Sequence, residues 1–355
     1  MRINEGYFKE NFIVNTENIE FYNIKTTDAI RVYGLYNYKN EAQFKRMPTE
    51  VAKATSEQVT KLHTNPTGGR IRFKTNSERL VIRVSVPNVS TRSIITMLNQ
   101  VGFDLYQTVN GKQEYFGCLY PPIDLTDGYT REEKLLPGEK ELTINMPLYN
   151  DVSDVWIGLE KGASLLPADD YKYEKPVFFY GSSITHGASV SRPGQTYEAM
   201  LSRRFNTNFV NLGFASGAKA EDAIIEYMAA QDYSIFVSDY DHNAPSAAHL
   251  EATHEKLYKA IRAKHPDVPY IMITKPILHY KLDNEENDRR RKIIYTTYQN
   301  AIASGDKNVY FIDGKEIFSD IPTGDCSADS VHPNDLGMHI MANAIAEVIE
   351  KNHLL

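Results

Sequence analysis

Apolar and polar residues alternate with a period of two through much of the chain up to about residue 160. The pattern is clear in GGRIRFKT (68–75) and returns in RLVIRVSV (79–86) and KELTINMP (140–147), and VSDVWIGLE (152–160) is a further candidate strand. Asn, Ser, Gly and Pro residues lie between these segments, as expected for turns. Many short strands separated by turn signals predict an antiparallel β-sandwich of the jelly-roll type.

The pattern changes after the polar stretch 161–176, which is suited to a linker. Short, mostly apolar segments now alternate with helical patterns such as AAHLEATHEKLYKAIRAKH (247–265). This alternation predicts a parallel sheet with helices on both faces, and polar chemistry on the loops that follow its strands. We therefore predict a β-sandwich domain over residues 1–170 and an α/β domain over residues 171–355. The predicted strands of the α/β domain are VFFYG, NFVNLGF, YSIFVSDY, PYIMITKP and NVYFIDG.

The composition is that of a folded soluble protein, and its charge argues against some partners. The 355 residues suit two domains, and the net charge of −7 argues against a basic surface for nucleic acid or anionic membranes. The basic run Arg289–Lys292 precedes a helical pattern and is predicted to lie on a solvated helix face. No apolar run has the length of a signal-peptide core at the N-terminus or of a membrane span elsewhere, so we expect a cytoplasmic protein.

Neither a metal site nor a disulfide framework is indicated. Two cysteines are too few for a disulfide framework or a zinc cluster. Asp239, Asp241 and Asn243 imitate the start of a calcium-binding loop. The imitation fails at the sixth position, where Ala244 replaces glycine, and at the twelfth, where Leu250 replaces glutamate. We expect no metal and no cofactor.

Three loops that follow predicted strands carry candidate chemistry. GSSITHG (181–187) offers a serine in a tight turn before a predicted helix, although such a serine is often only a helix N-cap. The α/β-hydrolase pattern G-x-S-x-G is not met, because residue 185 is Thr. NLGFASG (211–217) offers backbone N–H groups beside small side chains, and DYDHNAP (239–245) offers the Asn243 amide as a donor.

A fourth loop, DSVHPNDLG (329–337), places Asp329 three residues before His332. Serine, asparagine, backbone donors and Asp-x-x-His are the groups that acyl transfer requires. A histidine takes the serine proton and returns it to the leaving group, an aspartate holds the imidazole, and N–H donors stabilise the oxyanion.

The order of these blocks resembles that of the SGNH, or GDSL-type, hydrolase superfamily. The resemblance implies that Ser183, the third residue of GSSIT, is the nucleophile, and that its own N–H contributes to the oxyanion hole. It implies that Asn243 supplies the side-chain donor, and that Asp329 and His332 complete the triad. It also implies a flavodoxin-like α/β fold for the catalytic domain.

Other blocks match less closely. An ungapped comparison puts Ser216 at the oxyanion glycine of the second block, with Gly217 one residue beyond, and both are candidate donors. Ser182 replaces the usual aspartate of the first block, and Asp241 replaces the usual glycine of the third. VGFDLY (101–106) resembles the Gly-x-Asp-Leu-Tyr signature of a β-sandwich domain that precedes some SGNH esterases.

The resemblance implies a serine esterase that removes a small acyl group, an acetyl, from a sugar or oligosaccharide. Acyl transfer to another acceptor and hydrolysis of lipid esters are alternatives, and a carbohydrate-binding protein with an inactive hydrolase domain is a rival of another class. The expected partner is the ester substrate, and the oligomeric state stays open. We expect His186 and His242 to line the pocket or lie at the surface. Asp104 and Trp156 are expected to belong to the sandwich structure.

Overall fold

The structure is a computed structural model that describes residues 14–319 and 321–355. The β-strands are β1 (Ile19–Asn23), β2 (Arg31–Tyr33), β3 (Arg70–Thr75), β4 (Arg79–Ser85), β5 (Phe103–Val109), β6 (Lys112–Leu119), β7 (Gly128–Lys134), β8 (Lys140–Asn145), β9 (Asp154–Glu160), β10 (Leu166–Pro167), β11 (Tyr173–Gly181), β12 (Thr207–Gly213), β13 (Ile235–Asp239), β14 (Tyr270–Ile273) and β15 (Val309–Ile312). The α-helices are α1 (Thr49–Thr55), α2 (Glu57–Leu62), α3 (Met97–Val101), α4 (Tyr197–Phe205), α5 (Asp222–Ala229), α6 (Ala247–Lys264), α7 (Glu285–Ala303) and α8 (Asp335–Lys351).

Two compact units make up the described chain. The first contains the described residues up to Lys45 together with Thr64–Asp170, and the second contains Arg46–His63 and Tyr171–Leu355. The sequence-based division placed residues 46–63 in the first domain, so the two divisions differ there. The difference has a packing cause, because Met47 of this segment and apolar residues of α1 and α2 are buried in the core of the second unit.

The first unit consists of two antiparallel sheets. One sheet has the order β1-β9-β4-β7, and the other has the order β10-β3-β8-β5-β6 with β2 also paired to β3. Leu80 and Ile82 of β4 share one buried core with Ile71 and Phe73 of β3, so the two sheets pack face to face. The predicted antiparallel sandwich is thereby confirmed. The stretch predicted as a linker is partly strand, since β10 pairs with β3.

Of the signature residues VGFDLY, Val101 ends α3, Gly102 follows it, and Phe103–Tyr106 begin β5. Asp104 is buried and accepts a 2.7 Å hydrogen bond from Nδ2 of Asn145 on the adjacent strand β8. A buried carboxylate satisfied by a neighbouring strand stabilises the sheet, which agrees with the structural role expected for it. Trp156 lies on β9, as expected.

The second unit contains a five-stranded parallel sheet of order β12-β11-β13-β14-β15. Counted within the unit, this is the order 2-1-3-4-5 of flavodoxin-like folds, and it confirms the predicted class. The strands β12 and β13 lie on either side of β11, so the direction of chain winding reverses beside β11. Loops that leave the carboxyl ends of strands at such a point form a crevice in which ligands bind.

No helix in the described part of the chain is long and apolar enough to cross a membrane.

Candidate active site

The chain turns sharply at the end of β11, where only glycine fits at position 181. A Cβ atom on Gly181 would lie 1.9 Å from Oγ1 of Thr185 and 2.7 Å from the carbonyl oxygen of Asp239. The next N–H, that of Ser182, donates to the same Asp239 carbonyl at 3.1 Å. These contacts hold Ser183 at the carboxyl edge of the sheet.

The prediction of a helix directly after Ser183 was wrong. Residues 182–189 form turns, and the α-helix of this region begins only at Tyr197. Gly187 and Ser189 have left-handed backbone angles, with φ of 89° and 67°, which an α-helix does not accommodate. The positive end of a helix therefore does not lie at the backbone N–H of Ser183.

The two serines of GSSIT have different surroundings. The Ser182 side chain is fully buried, and its Oγ accepts a hydrogen bond from the N–H of Ile184 at 3.1 Å. Ser183 is only partly buried, and its Oγ lies 2.8 Å from Nε2 of His332. The structure thus brings Ser183, and not Ser182, to the histidine.

The loop before α8 brings Asp329 and His332 together. Nδ1 of His332 lies 2.6 Å from Oδ2 of Asp329, and the backbone N–H groups of Val331 and His332 donate to Oδ1 at 3.0 and 2.7 Å. The hydroxyl of Ser327 donates to the carbonyl of His332 at 2.8 Å, and Ser327 forms an isolated antiparallel bridge with Pro333. These bonds make the loop a rigid support for the imidazole.

Hydrogen bonds keep Asp329 ionised. Burial by itself raises the pKa of Asp329, but the donors from the backbone and ring of His332 and from the backbone of Val331 outweigh it. The net pKa lies below the ordinary value. An ionised carboxylate at 2.6 Å from Nδ1 keeps the proton on that nitrogen. Nε2 is then left as an acceptor for the Ser183 hydroxyl.

Asn243 lies at the end of a 3₁₀ turn, Asp241–Asn243, that follows β13. Its Nδ2 donates to the carbonyl of Phe214 at 2.7 Å, and its Oδ1 accepts from the N–H of Ser216 at 3.1 Å. The carbonyl and the N–H together fix which end of the amide is oxygen and which is nitrogen. One hydrogen of Nδ2 is committed to Phe214, and the other is available for a ligand.

Ser216 and Gly217 differ in what their N–H groups do. Ser216 has a left-handed backbone, with φ of 59°, and directs its N–H to the Asn243 side chain. The N–H of Gly217 donates to the carbonyl of Phe214 at 2.9 Å and closes a turn. Of these two candidate donors, only Ser216 contacts another candidate site residue.

The structure excludes a surface position for two polar side chains. His186 is fully buried, and its Nδ1 accepts from the N–H of Ala215 at 3.5 Å, so a surface position is excluded. Arg290 was predicted on a solvated helix face, and this was wrong, because its side chain is 6% exposed and pairs with Asp241.

His242 is partly buried, and desolvation, reinforced by the nearby cation Lys275, lowers its pKa well below the ordinary value.

A buried polar cluster beneath Ser183 was missed by sequence reasoning. Oδ2 of Asp239 accepts from Oγ1 of Thr185 at 3.2 Å and from the hydroxyl of Tyr197 at 3.3 Å. Burial raises the pKa of Asp239 to about 8, so its carboxyl group is protonated at neutral pH. These residues are far apart in the sequence, and only the sheet brings them together. Among the described residues no group of three or more His, Cys, Asp and Glu could hold a metal ion.

Two family models match successive parts of the chain. Residues 174–350 match the GDSL-like lipase/acylhydrolase family. The chain belongs to this family. Residues 19–165 match the GxDLY family, the N-terminus of SGNH-hydrolase-type esterases. The resemblance stated from the sequence motifs is thereby confirmed.

Solved structures of similar proteins span nearly the whole chain. A Bacteroides ovatus protein assigned as a GDSL-like lipase is 29% identical, with a TM-score of 0.83 over 94% of this chain and 98% of its own. The salicylyl-acyltransferase SsfX3 from a tetracycline biosynthetic pathway is 18% identical, with a TM-score of 0.75 over 96% and 99%. Est2A, an acetyl xylan esterase from the rumen bacterium Butyrivibrio proteoclasticus, is 14% identical, with a TM-score of 0.57 over 94% and 98%. No curated protein sequence matches significantly.

Proposed function

We propose that the protein is a serine esterase that hydrolyses acetyl and other short acyl esters of carbohydrates. One observation carries the proposal, namely the chain of contacts from Ser183 Oγ through His332 to Asp329, with distances of 2.8 and 2.6 Å. Both contacts are short enough for proton transfer without prior movement of a side chain. A hydroxyl, a neutral imidazole and an ionised carboxylate in this order are the groups that make a serine nucleophilic.

In the first half of the reaction, Oγ of Ser183 attacks the carbonyl carbon of the ester while Nε2 of His332 takes the hydroxyl proton. Asp329 stabilises the imidazolium that forms and stays ionised. The tetrahedral intermediate then collapses, the bond to the alcohol oxygen breaks, and His332 gives its proton to the departing alcohol. The acyl group is left as an ester on Ser183.

In the second half, a water molecule attacks the acyl-enzyme and gives its proton to His332. The new tetrahedral intermediate collapses, the bond to Oγ of Ser183 breaks, and the serine regains the proton. The carboxylic acid leaves, and the protein returns to its starting state. No metal or redox group enters either half-reaction.

The negative oxygen of each intermediate needs fixed donors. We assign this role to the N–H of Ser183 and to the remaining hydrogen of Nδ2 of Asn243. Ser216 supports the second donor, because its N–H holds Oδ1 of Asn243 at 3.1 Å. We do not assign Gly217 to the oxyanion hole, since its N–H is directed to Phe214. Preorganised donors of this kind act mainly on the transition state.

The substrate class rests on similarity and not on a pocket. Est2A is an acetyl xylan esterase and shares the fold, which favours an acetylated carbohydrate. SsfX3 is an acyltransferase and shares the fold over 96% of this chain, so acyl transfer to an acceptor other than water is the second candidate. An inactive carbohydrate-binding protein is disfavoured, because binding alone does not require a serine hydroxyl beside an oriented imidazole.

The test is a panel of nitrophenyl esters from acetate to long acyl chains, measured beside acetate release from acetylated xylan and mannan oligosaccharides. We expect kcat/KM to be highest for acetate among the aryl esters, and higher still for acetylated oligosaccharides. Preference for long acyl chains would support a lipid esterase instead. Formation of an acyl product faster than free acid, when alcohols or amines are added, would support a transferase.

A further inference from the structure

The turn that carries Asn243 contains a buried charge. The Asp241 side chain is 1% exposed. Its Oδ2 accepts the backbone N–H of Lys275 at 2.9 Å. Asp241 stands where the family resemblance leads one to expect glycine, so this carboxylate is a feature of the present chain. A buried carboxylate is costly unless an opposite charge and hydrogen bonds compensate it.

Arg290 of α7 supplies the opposite charge. Its Nε donates to Oδ1 of Asp241 at 2.8 Å. One of its terminal nitrogens also donates to the carbonyl of Asp241 and, at 2.9 Å, to the carbonyl of Ala244. The guanidinium therefore contacts the residue two before Asn243 and the residue just after it. Arg290 makes none of its hydrogen bonds to the Asn243 side chain itself, so any effect on that amide passes through the backbone.

We call the contacts of Arg290 with Asp241 and Ala244 the clamp. The geometry of the turn explains why the clamp matters. Asn243 projects from a single 3₁₀ turn, in which its own N–H donates to the carbonyl of Tyr240 at 2.9 Å. The N–H of Ala244 donates to the carbonyl of Asp241 at 3.2 Å and completes the turn. A single 3₁₀ turn has hydrogen bonds of poorer geometry than those of an α-helix, so these two bonds alone do not make it rigid. The planar guanidinium reaches its acceptors from two nitrogens held in a fixed geometry, with Nε on the carboxylate and one terminal nitrogen on the two carbonyls. A lysine ammonium has all its donors on one nitrogen and cannot occupy both positions.

We propose that Arg290 is a positioning residue, which acts through Asp241 and Ala244 to hold the Asn243 amide in place as oxyanion donor. The inference rests on the proposed function, because it presumes that Asn243 stabilises the oxyanion. A displacement on the order of 1 Å at such a donor costs roughly a hundred-fold in rate. Loosening the clamp therefore lowers kcat and leaves ground-state binding largely unchanged.

The test is a double-mutant cycle between Arg290→Lys and Asn243→Ala, with nitrophenyl acetate as substrate. We expect Arg290→Lys alone to lower kcat about tenfold or more, with KM changed by less than about threefold. In the Asn243→Ala background the same change should lower kcat by less than about threefold, because the donor it positions is gone. An equal loss in both backgrounds, or an effect on KM alone, would overturn the inference.

Arg262→Lys is the matched control. Arg262, whose side chain is 15% exposed, likewise joins a carboxylate, Asp306 at 2.8 Å, to backbone carbonyls, among them that of Val268 at 2.7 Å. It also contacts the carbonyl of Asn308, just before β15, so it lies at the end of the parallel sheet opposite Ser183. Its replacement should lower the melting temperature and leave kcat unchanged in both backgrounds.

Hydrogen exchange separates failure of this inference from failure of the proposed function. The N–H of Ser216 donates to Oδ1 of Asn243, so its exchange should accelerate about tenfold or more in Arg290→Lys and stay unchanged in Arg262→Lys. If exchange of the Ser216 N–H is unchanged in Arg290→Lys, and Ser183→Ala abolishes esterase activity as expected, the clamp is refuted and the proposed function stands. Faster exchange in a protein without esterase activity supports the clamp on Asn243 and refutes the proposed function. If Arg290→Lys does not fold, Asp241→Asn removes the carboxylate at constant volume and is held to the same two criteria.

Discussion

Two aspartates near Ser183 have opposite protonation states, and their surroundings explain why. Asp329 is 22% exposed and accepts three hydrogen bonds from the backbone and ring of His332 and the backbone of Val331. Asp239 is 1% exposed, and its Oδ1 has no hydrogen-bond partner within the described chain. The first pKa is lowered, and the second is raised to about 8.

The comparison shows that donors and burial act in opposite directions on a carboxyl group. N–H donors stabilise the ionised form of Asp329, and desolvation stabilises the protonated form of Asp239. The loop of Asp329 is therefore suited to hold a charge beside a reacting imidazole, and the cluster of Asp239 is suited to packing. Substitutions in the first region should change kcat with little effect on stability, and those in the second should change stability and its pH dependence.

The largest expected effect is that of Ser183→Ala. Loss of the nucleophile should lower kcat on the order of a million-fold, with the melting temperature nearly unchanged because Ser183 is only partly buried. Ser182→Ala is the matched control, and it should retain most of the activity. Near-normal turnover by a folded Ser183→Ala variant would remove Ser183 from the mechanism.

Asp329→Asn tests the charged member of the two aspartates, because asparagine has nearly the shape of aspartate and carries no charge. The amide can present N–H to Nδ1 of His332 and so favour the wrong imidazole tautomer. We expect kcat to fall about ten-thousand-fold, as for the equivalent change in serine proteases. The kinetics of the purified variant check this, and a loss smaller than about tenfold would show that the carboxylate is dispensable.

Asn243→Ala tests the donor side of the site. Removing one oxyanion donor should lower kcat by roughly a hundred- to a thousand-fold, while KM changes much less. Steady-state kinetics on one short ester measure both quantities. An effect confined to KM would mean that Asn243 binds the ground-state substrate.

Asp239→Asn should have the smallest effect on activity. Its main effect should be on the pH dependence of the free energy of unfolding. Between the pKa of an unfolded aspartate and the folded value of about 8, the native state holds a proton that the unfolded state has released. Wild-type stability therefore loses up to about 1.4 kcal/mol per pH unit from this group as pH rises through that window. The asparagine cannot ionise, so the variant should gain in stability relative to wild type between pH 5 and pH 8. Urea unfolding at several pH values measures the difference, and a difference independent of pH would mean that Asp239 is ionised in the fold.

Much of the fold and of the candidate site was predictable, because the signals are local. The period of two in the first half and the alternation of apolar segments with helical patterns in the second depend only on neighbouring residues. Ser183 and Asn243 each follow a strand closely, and Asp329 and His332 share one short motif in the loop before α8. The carboxyl ends of parallel strands meet at one edge, so their proximity followed from the fold class.

The features that were missed depend on long-range contacts. A basic run on a helix does not tell which arginine faces inward, and the partner of Arg290 is Asp241, 49 residues earlier. Residues 46–63 precede the first clear strand pattern, and only their packing assigns them to the second unit. The turns after Ser183 follow from left-handed angles at Gly187 and Ser189, and a serine in that conformation has no sequence signal.

The central claim is that Ser183 becomes covalently acylated with the help of His332, and covalent trapping tests it most directly. The protein is treated with a small fluorophosphonate, which reacts with activated serines, and the adduct is counted and located by mass spectrometry of the intact chain and of its peptides. We expect one adduct per chain on Ser183, and none above background in His332→Ala. An adduct on another residue, or labelling of Ser183 that does not depend on His332, would contradict it.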